Sequence, residues 1–599
     1  MKKNALFLFV FLTFLGTSIA QVEVSSRLQD AIQKAGPDDY IRALVLLRDQ
    51  VDLLALDQRL YHEKATLERR AYEVITALQR KAQETQPNLL NYLQAKESVG
   101  EVFQYQSFWV SNLVMVEAKP NVLLELTSRM DVAQMDLDAI LELDKPVEVS
   151  EGEVENNESV ELGLKVIKAD QLWAMGITGQ GRLLMNIDTG VYPNHPALQH
   201  KWRGNHVPSN QAWFDPGGGT TTPSDCDGHG SHTMGTMVGR SLTTPDTVGV
   251  AIDAEWIAAK TICSSPHTSN SIAAFQWAMN PDGNPSTIDD MPDAISNSWY
   301  DPDVTNECTG IYKTTLDAVE AAGIAVVFSA GNSGPGASTI TKPKNINTNE
   351  VNIFCTAAID AVLYSGGNNN PIASFSSRGP STCGGTGSLL IKPEISAPGV
   401  NVRSSGTSTG YNTLSGTSMA SPHVAGAIAL LKQFAPTLTG QQIKFALYNT
   451  AIDLGTAGED NTYGKGLIDV VAAMMSLGTP DTVPPTTITD LQVTDPTSNS
   501  LRLTWSAPLD TSMGGVVQYD IRWALSPITD TTAFYAANPL TYPGVIGTPG
   551  SPQELLVTGL NFSTTYYFAI RSRDAWGNWS DVSNSPSGTT LDAPVISVN

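Results

Sequence analysis

Apolar residues follow different rhythms in different parts of the chain. Through the middle they come as short unbroken runs: RLLMNID (Arg182–Asp188), EWIAAKTI (Glu255–Ile262), AISNSW (Ala294–Trp299), GIAVVFSA (Gly323–Ala330) and VNIFCTAA (Val351–Ala358). Helical stretches separate them. Runs without polar alternation suit strands buried on both faces, so this region predicts a parallel sheet covered by helices. The pattern extends from Leu162 to Leu477 and closes on a helical segment, Gly464–Met475.

On either side the pattern changes. YIRALVLLRD (Tyr40–Asp49) and NLVMVEA (Asn112–Ala118) read as strands, with a helical stretch from Leu60 to Gln86 stopped by Pro87. A helix from Pro120 and a last strand near Val132–Leu137 complete a β-α-β-β-α-β succession, a ferredoxin-like pattern, for residues 21–146. Val147–Glu161 then carries six glutamates and no base, and reads as an extended, solvated linker open to cleavage. A second linker, Gly478–Asp490, is rich in Pro and Thr. Beyond it LRLTW, VQYDIRWAL, ELLVTGL and TYYFAIRSRD recur at sandwich spacing, so residues 491–592 read as an all-β module.

The chain has 599 residues, enough for several domains. Its formal charge of −24, without a basic stripe, argues against nucleic-acid binding. Residues 1–20 place Lys2 and Lys3 before an apolar stretch from Ala5 to Leu15, with Ser18 and Ala20 at the end. That is the pattern of a secretory signal peptide, and the stretch is too short to cross a bilayer. No later stretch reads as a membrane span. The expected localisation is secreted, extracellular or periplasmic, which permits disulfides. Five cysteines (226, 263, 308, 355 and 383) leave at least one unpaired within the chain. Sequence does not choose among the fifteen possible pairings.

Candidate chemistry starts from eight histidines. His62, His200, His206 and His267 lie in polar surroundings, and His195 sits in a turn. In SDCDGHGSHTMGTMVG (Ser224–Gly239) two histidines stand three apart, but the residues between them, Gly230 and Ser231, include no acid. A zinc helix of the HExxH kind is therefore poorly matched. In LSGTSMASPHVAG, Ser418 opens an apolar helix, where unpaired N–H groups and the positive helix end favour attack on a carbonyl. Pro422 is expected within that helix's first turn. Five residues on, His423 falls about 140° round the helix and cannot serve this serine. His229 is the candidate base. Asp188, at the end of an apolar strand, is the candidate orienting acid. Asn332, in SAGNSGPG, is the candidate second oxyanion donor.

Each of these is weak alone, but the order Asp188, His229, Asn332, Ser418 is specific. NIDTGV, DGHGSHTMG, SAGNSGPG and SGTSMASPHVAG resemble the four signature blocks of the subtilisin-like serine proteases. HTMGTMVG, WIAAK, IASFSSRGPS and KPEISAPGVNVRSS resemble their bacillopeptidase F-like branch. The resemblance implies a parallel-sheet α/β/α peptidase domain over 162–477 and an inhibitory, folding-assistant propeptide over 21–146. It also implies peptide-bond hydrolysis by Asp188, His229 and Ser418, with Asn332 at the oxyanion. No cofactor is required, and structural calcium is compatible with the family, although no residues can be assigned to it. Ser298, Trp299, Tyr300, Ser329, Ala330 and Gly331 would offer extended backbone to a peptide substrate. Tyr300 and Asp301 stand where many relatives have small residues, so inherited specificity does not carry over. The last module resembles fibronectin type III, with Trp505 as core tryptophan and Leu560–Tyr566 as its corner, and could bind a surface or polymer. The expected partners are protein or peptide substrates and the protein's own propeptide. The rival reading is a secreted, catalytically inactive binding protein on the same fold.

Overall fold

The computed structural model describes residues 21–150, 160–244, 246–478, 482–510, 516–542, 546–574 and 578–593. The leader 1–20, most of the acidic run 147–161 and part of the 478–490 linker lie outside them. The chain forms two compact units. One comprises 21–49, 85–107 and 113–137; the other comprises 50–84, 108–112 and the rest from 138 onward.

The first unit is a five-stranded sheet in the order Glu23–Val24, Val132–Leu137, Ile41–Leu47, Leu113–Ala118, Val102–Phe108. Ile41–Leu47 pairs antiparallel with both its neighbours. Leu28, Leu89, Leu93, Val122 and Leu126, from three helices, close its core against Val45, Val114 and Val116. Two features differ from expectation. A short first strand and the helix Ser26–Lys34 precede the expected start. The long helical stretch divides into Leu53–His62 and Leu67–Thr85, most of which belongs to the second unit. Pro87 both ends that stretch and begins the next helix, Pro87–Glu97, because proline lacks only an N–H that a first helical turn leaves unpaired anyway.

The second unit is built on a seven-stranded sheet. Its strands are β1 (Leu183–Asp188), β2 (Trp213–Phe214), β3 (Glu255–Lys260), β4 (Ala294–Asn297), β5 (Ala325–Ser329), β6 (Phe354–Ile359) and β7 (Ile395–Pro398). The order is β7-β6-β5-β4-β1-β3-β2, and every neighbouring pair is parallel. β1, β5 and β6 are buried at every residue, which accounts for their unbroken apolar sequences. After β1 the chain builds β2 and β3 on one side, then β4 to β7 on the other. The switch point thus falls at β1, whose carboxyl end carries Asp188, where open α/β sheets form their crevice. Helices α1 (His229–Val238) and α2 (Thr417–Phe434) pack on the sheet with their small residues inward. Gly235 on α1 admits the Ser404 and Ser405 hydroxyls, each 2.3 Å from where a Cβ would stand.

Two disulfides form, Cys226–Cys263 and Cys308–Cys383, and Cys355 is a buried free thiol. The C-terminal module has a three-stranded sheet (Gln492–Thr494, Ser500–Ser506, Pro552–Thr558) and a four-stranded one (Asn538–Leu540, Val516–Ala524, Thr565–Asp574, Ser587–Thr589). Trp505, Tyr566, Phe568 and Ile570 share its core, and the Asn561 N–H donates to the Tyr566 hydroxyl at 2.9 Å. No helix among the described residues is long and apolar enough to cross a membrane.

A buried ion pair ties helix Gly440–Asn449 to the start of β5. Lys444 donates to Glu320, whose carboxylate also accepts the Val326 N–H at 3.1 Å. Burial pushes the lysine's pKa down and the glutamate's up. Lys444→Met should cost about 3–5 kcal/mol by leaving a buried carboxylate alone. Adding Glu320→Gln should recover most of the loss in urea unfolding, because the remaining amide still accepts from Val326 and carries no charge.

Candidate functional site

Asp188 ends β1 and His229 begins α1. The His229 Nδ1 lies 2.8 Å from Asp188 Oδ1, with both side chains buried. The same carboxylate accepts the Thr189 N–H at 2.7 Å, and its other oxygen lies 3.5 Å from the Thr233 hydroxyl. Burial opposes a charged imidazole here. The charge and hydrogen bond of Asp188, helped by Asp227 and Asp225, outweigh it and hold His229 above the ordinary histidine pKa. Its Nε2 is buried and has no hydrogen-bond partner among the described residues.

The loop ahead of His229 is held by a residue that its sequence context did not single out. Asp225 Oδ1 accepts from the Thr189 hydroxyl and from the Asp227 and Gly228 N–H groups; its Oδ2 accepts from the Ser231 N–H and hydroxyl. The Thr189 hydroxyl in turn accepts the Gly230 N–H at 2.9 Å. The Cys226–Cys263 disulfide ties this loop to the segment after β3. The one signal in the sequence is an acid inside a glycine-rich string.

Ser418 is the second residue of α2, so its N–H is one of the four that a helix leaves unpaired. Pro422 is the sixth residue, beyond the first turn where it was expected, and cannot donate to the Ser418 carbonyl. Asn332 follows β5. Its Oδ1 accepts from the Thr417 N–H and hydroxyl, both at 2.9 Å, which turns its amide nitrogen outward.

A stretch of the chain itself lies across these groups. The Leu141 N–H donates to the Pro266 carbonyl at 2.7 Å. Glu142 and Leu143 pair antiparallel with Tyr300 and Trp299, and the Asp144 N–H donates to the Ser298 carbonyl at 3.0 Å. The Ser418 hydroxyl donates to the Asp144 carbonyl at 2.8 Å, and the Asn332 amide to the Lys145 carbonyl at 2.9 Å. The Val147 N–H donates to the Ser415 carbonyl at 2.9 Å, and Glu148–Ser150 continues antiparallel to Tyr411–Ser415. Val147–Ser150, expected as free linker, is therefore paired backbone.

Ser298, Trp299 and Tyr300 thus meet the peptide through backbone. Ser329, Ala330 and Gly331 do not. The Ala330 N–H and carbonyl are taken by Thr356 and Thr341, and those of Gly331 by Thr417 and Ser377. Only the Ser329 side chain reaches the segment, at the Asp144 carboxylate, 2.6 Å away.

Four other histidines are held by structural partners. His232 Nε2 faces the Val402 and Asn412 carbonyls, and burial pulls its pKa down to about 3. His229 and His232 therefore engage separate partners and do not form a metal pair. His423 Nδ1 bonds the Met419 carbonyl at 2.8 Å, and burial lowers it to about 4. His195 is buried against Tyr411. His267 is not a free surface group, because its Nδ1 meets the Asp138 carbonyl at 2.9 Å. Among the described residues one cluster could hold a metal by composition, Glu307, Cys308 and Cys383, but both sulfurs are in a disulfide. It does not fit a metal ion.

A parallel sheet with an Asp–His pair at its carboxyl edge, and a serine at the start of the helix beneath, is the architecture of subtilases. Residues 179–466 match the subtilase family model. Subtilisin DY of Bacillus licheniformis is 33% identical over 320 residues, covering 53% of this chain and 99% of that protein. The alkaline protease of Alkalihalobacillus alcalophilus is 31% identical over 65% of this chain and 89% of its own. Bacillopeptidase F of Bacillus subtilis is 33% identical over 430 residues, 67% of this chain; the chain spans only 28% of that protein's length. The chain belongs to the subtilase family, the subtilisin-like serine endopeptidases.

Residues 486–585 match the purple acid phosphatase N-terminal domain, and not fibronectin type III by name. A core tryptophan and a tyrosine corner mark a two-sheet sandwich, and do not separate families that share it.

Gly230 is a tight point of the site: a Cβ there would stand 2.1 Å from the Gly190 carbonyl oxygen. Gly230→Ala should cost about 1–3 kcal/mol by overpacking, measured by urea unfolding of the full chain.

Proposed function

We propose that this chain is a secreted serine endopeptidase, made as a zymogen whose own Leu141–Val147 segment lies in its cleft. The observation that carries the reading is the Asp144 carbonyl on the Ser418 hydroxyl, at 2.8 Å, within backbone pairing to Trp299 and Tyr300. An apolar leader and two disulfides support export to an oxidising compartment.

In this mechanism the Ser418 Oγ attacks a peptide carbonyl carbon while His229 Nε2 takes its proton. Asp188 holds the Nδ1 proton and offsets the imidazolium charge. The tetrahedral oxyanion is held by the Asn332 amide and the Ser418 N–H. The C–N bond breaks as His229 returns the proton to the leaving amine, giving an ester on Ser418. Water, deprotonated by the same histidine, then releases the acid and restores Ser418. Removing Asn332 should lower kcat by about 10²–10³, a magnitude carried over from the oxyanion asparagine of a subtilisin, a relative of this chain.

Ser418→Ala should abolish casein hydrolysis and labelling by a fluorophosphonate probe. It should also leave the secreted chain uncut, whereas the wild type should begin at Lys145. Casein cleavage by Ser418→Ala at the wild-type rate would overturn the assignment. The base works only as neutral imidazole, and Asp188 raises its pKa. The acid limb of kcat/KM should therefore lie above the ordinary histidine value of about 6.5. Activity should be lost as pH falls through that limb, and Asp188→Asn should move the limb down.

A further inference from the structure

The Asp144 side chain, 2% exposed, points into the pocket beside Ser418. Its Oδ2 accepts from Lys344 Nζ and from the Ser329 hydroxyl at 2.6 Å, and the Thr341 hydroxyl lies 3.5 Å from Oδ1. Lys344 is fully buried, with its Nζ also 3.2 Å from Ser329 Oγ and 5.9 Å from the centroid of the Tyr300 ring. Three hydrogen-bond donors thus converge on one carboxylate.

The source of that carboxylate is the telling point. Three other buried lysines have their carboxylate inside the 162–477 domain: Lys392 with Glu394, Lys432 with Asp293 and Lys444 with Glu320. A fourth, Lys201, donates instead to the Val238 and Ile252 carbonyls. The ion pair of Lys344 is with Asp144, on the segment lying in the cleft. The nearby Asp301 carboxylate is engaged by the Tyr312 hydroxyl and the Asp303 N–H. The nearby Cys355 thiol is kept neutral, since burial pushes its pKa up to about 12. Once residues 141–147 leave, the pocket floor is a buried ammonium without its anion. A neutral side chain entering there would leave the cation unpaired, which is costly; a carboxylate would restore the pair.

We propose that Lys344 makes this chain cleave after acidic residues, with Asp144 filling the pocket as the first of them. The inference rests on the endopeptidase reading and names its substrate class. The bond cut is the one following the acid. In the chain itself that is Asp144–Lys145, whose carbonyl is the one on Ser418. Burial pulls the Lys344 pKa down, and the charge and hydrogen bond of Asp144 pull against it.

The test uses the full chain after it has processed itself, with fluorogenic peptides Leu-Glu-Leu-X-Lys in which X is Asp, Glu, Asn, Leu, Phe or Lys. The wild type should cleave the Asp peptide at least about 100-fold faster, in kcat/KM, than its isostere Asn; a site built for a polar group can reach about 10⁴. Lys344→Met should bring that ratio within about tenfold of unity while fluorophosphonate labelling persists. Ser329→Ala, a smaller change, should lower the ratio without abolishing it. Faster cleavage after Asn, Leu, Phe or Lys than after Asp would overturn the proposal, as would an unchanged ratio in a labelled Lys344→Met enzyme. Should Lys344→Met fail to fold, the wild-type ratio alone decides. If no peptide is cleaved and no probe is bound, the endopeptidase reading itself fails. Probe labelling with cleavage after non-acidic residues defeats only the acidic specificity.

Discussion

The buried hydrogen bond between Asp188 and His229 is the constraint to which the rest of the site answers. A carboxylate and an imidazole are costly to take out of water unless each finds partners there. The sheet supplies a rigid end for the acid, and the Thr189 N–H holds one of its oxygens. The base must then arrive within 2.8 Å from a different element, 41 residues on. That requirement explains the density of glycine and small residues between Gly190 and Gly235. Gly230 lets the first turn of α1 press against Gly190, and Asp225 stitches the intervening loop through five donors.

A second consequence concerns polarity. The same arrangement that raises His229 leaves its near neighbours His232 and His423 depressed, because they are equally buried but face carbonyls and not a carboxylate. Three histidines close in space therefore divide their roles by partner alone. His232 binds the hairpin of Val402 and Asn412 to α1, and His423 bonds the Met419 carbonyl within its own helix. Of the three, His229 alone faces a carboxylate, and the other two hold backbone carbonyls.

Much of this was legible in sequence. Unbroken apolar runs identified the parallel strands because burial on both faces erases alternation, and the order of four short blocks pointed to the Asp188 and His229 that the fold brings together. What was not legible depends on contacts between distant segments. Pro87 read as a stop and is also a start, since the first helical turn tolerates it. Ala330 and Gly331 do not pair with the cleft segment because other parts of the domain take their backbone groups. Trp505 and Tyr566 identified a sandwich, and no more, because its core needs them whatever the family. The disulfide pairing needed the fold, since 37 and 75 residues separate the partners.

Lys344 is the clearest case of a residue whose meaning no local reading supplies. In TKPKNIN it looks like one more loop lysine, and a loop lysine is normally solvated. Its burial makes sense only with Asp144, 200 residues earlier, in its pocket. A buried lysine with its acid on the same domain is a structural pair, stable for the life of the fold. A buried lysine whose acid lies on a segment held in the cleft is different. The attraction that seats the segment is the attraction that remains when the segment is gone, so the contact that closes the cleft also selects what next enters it.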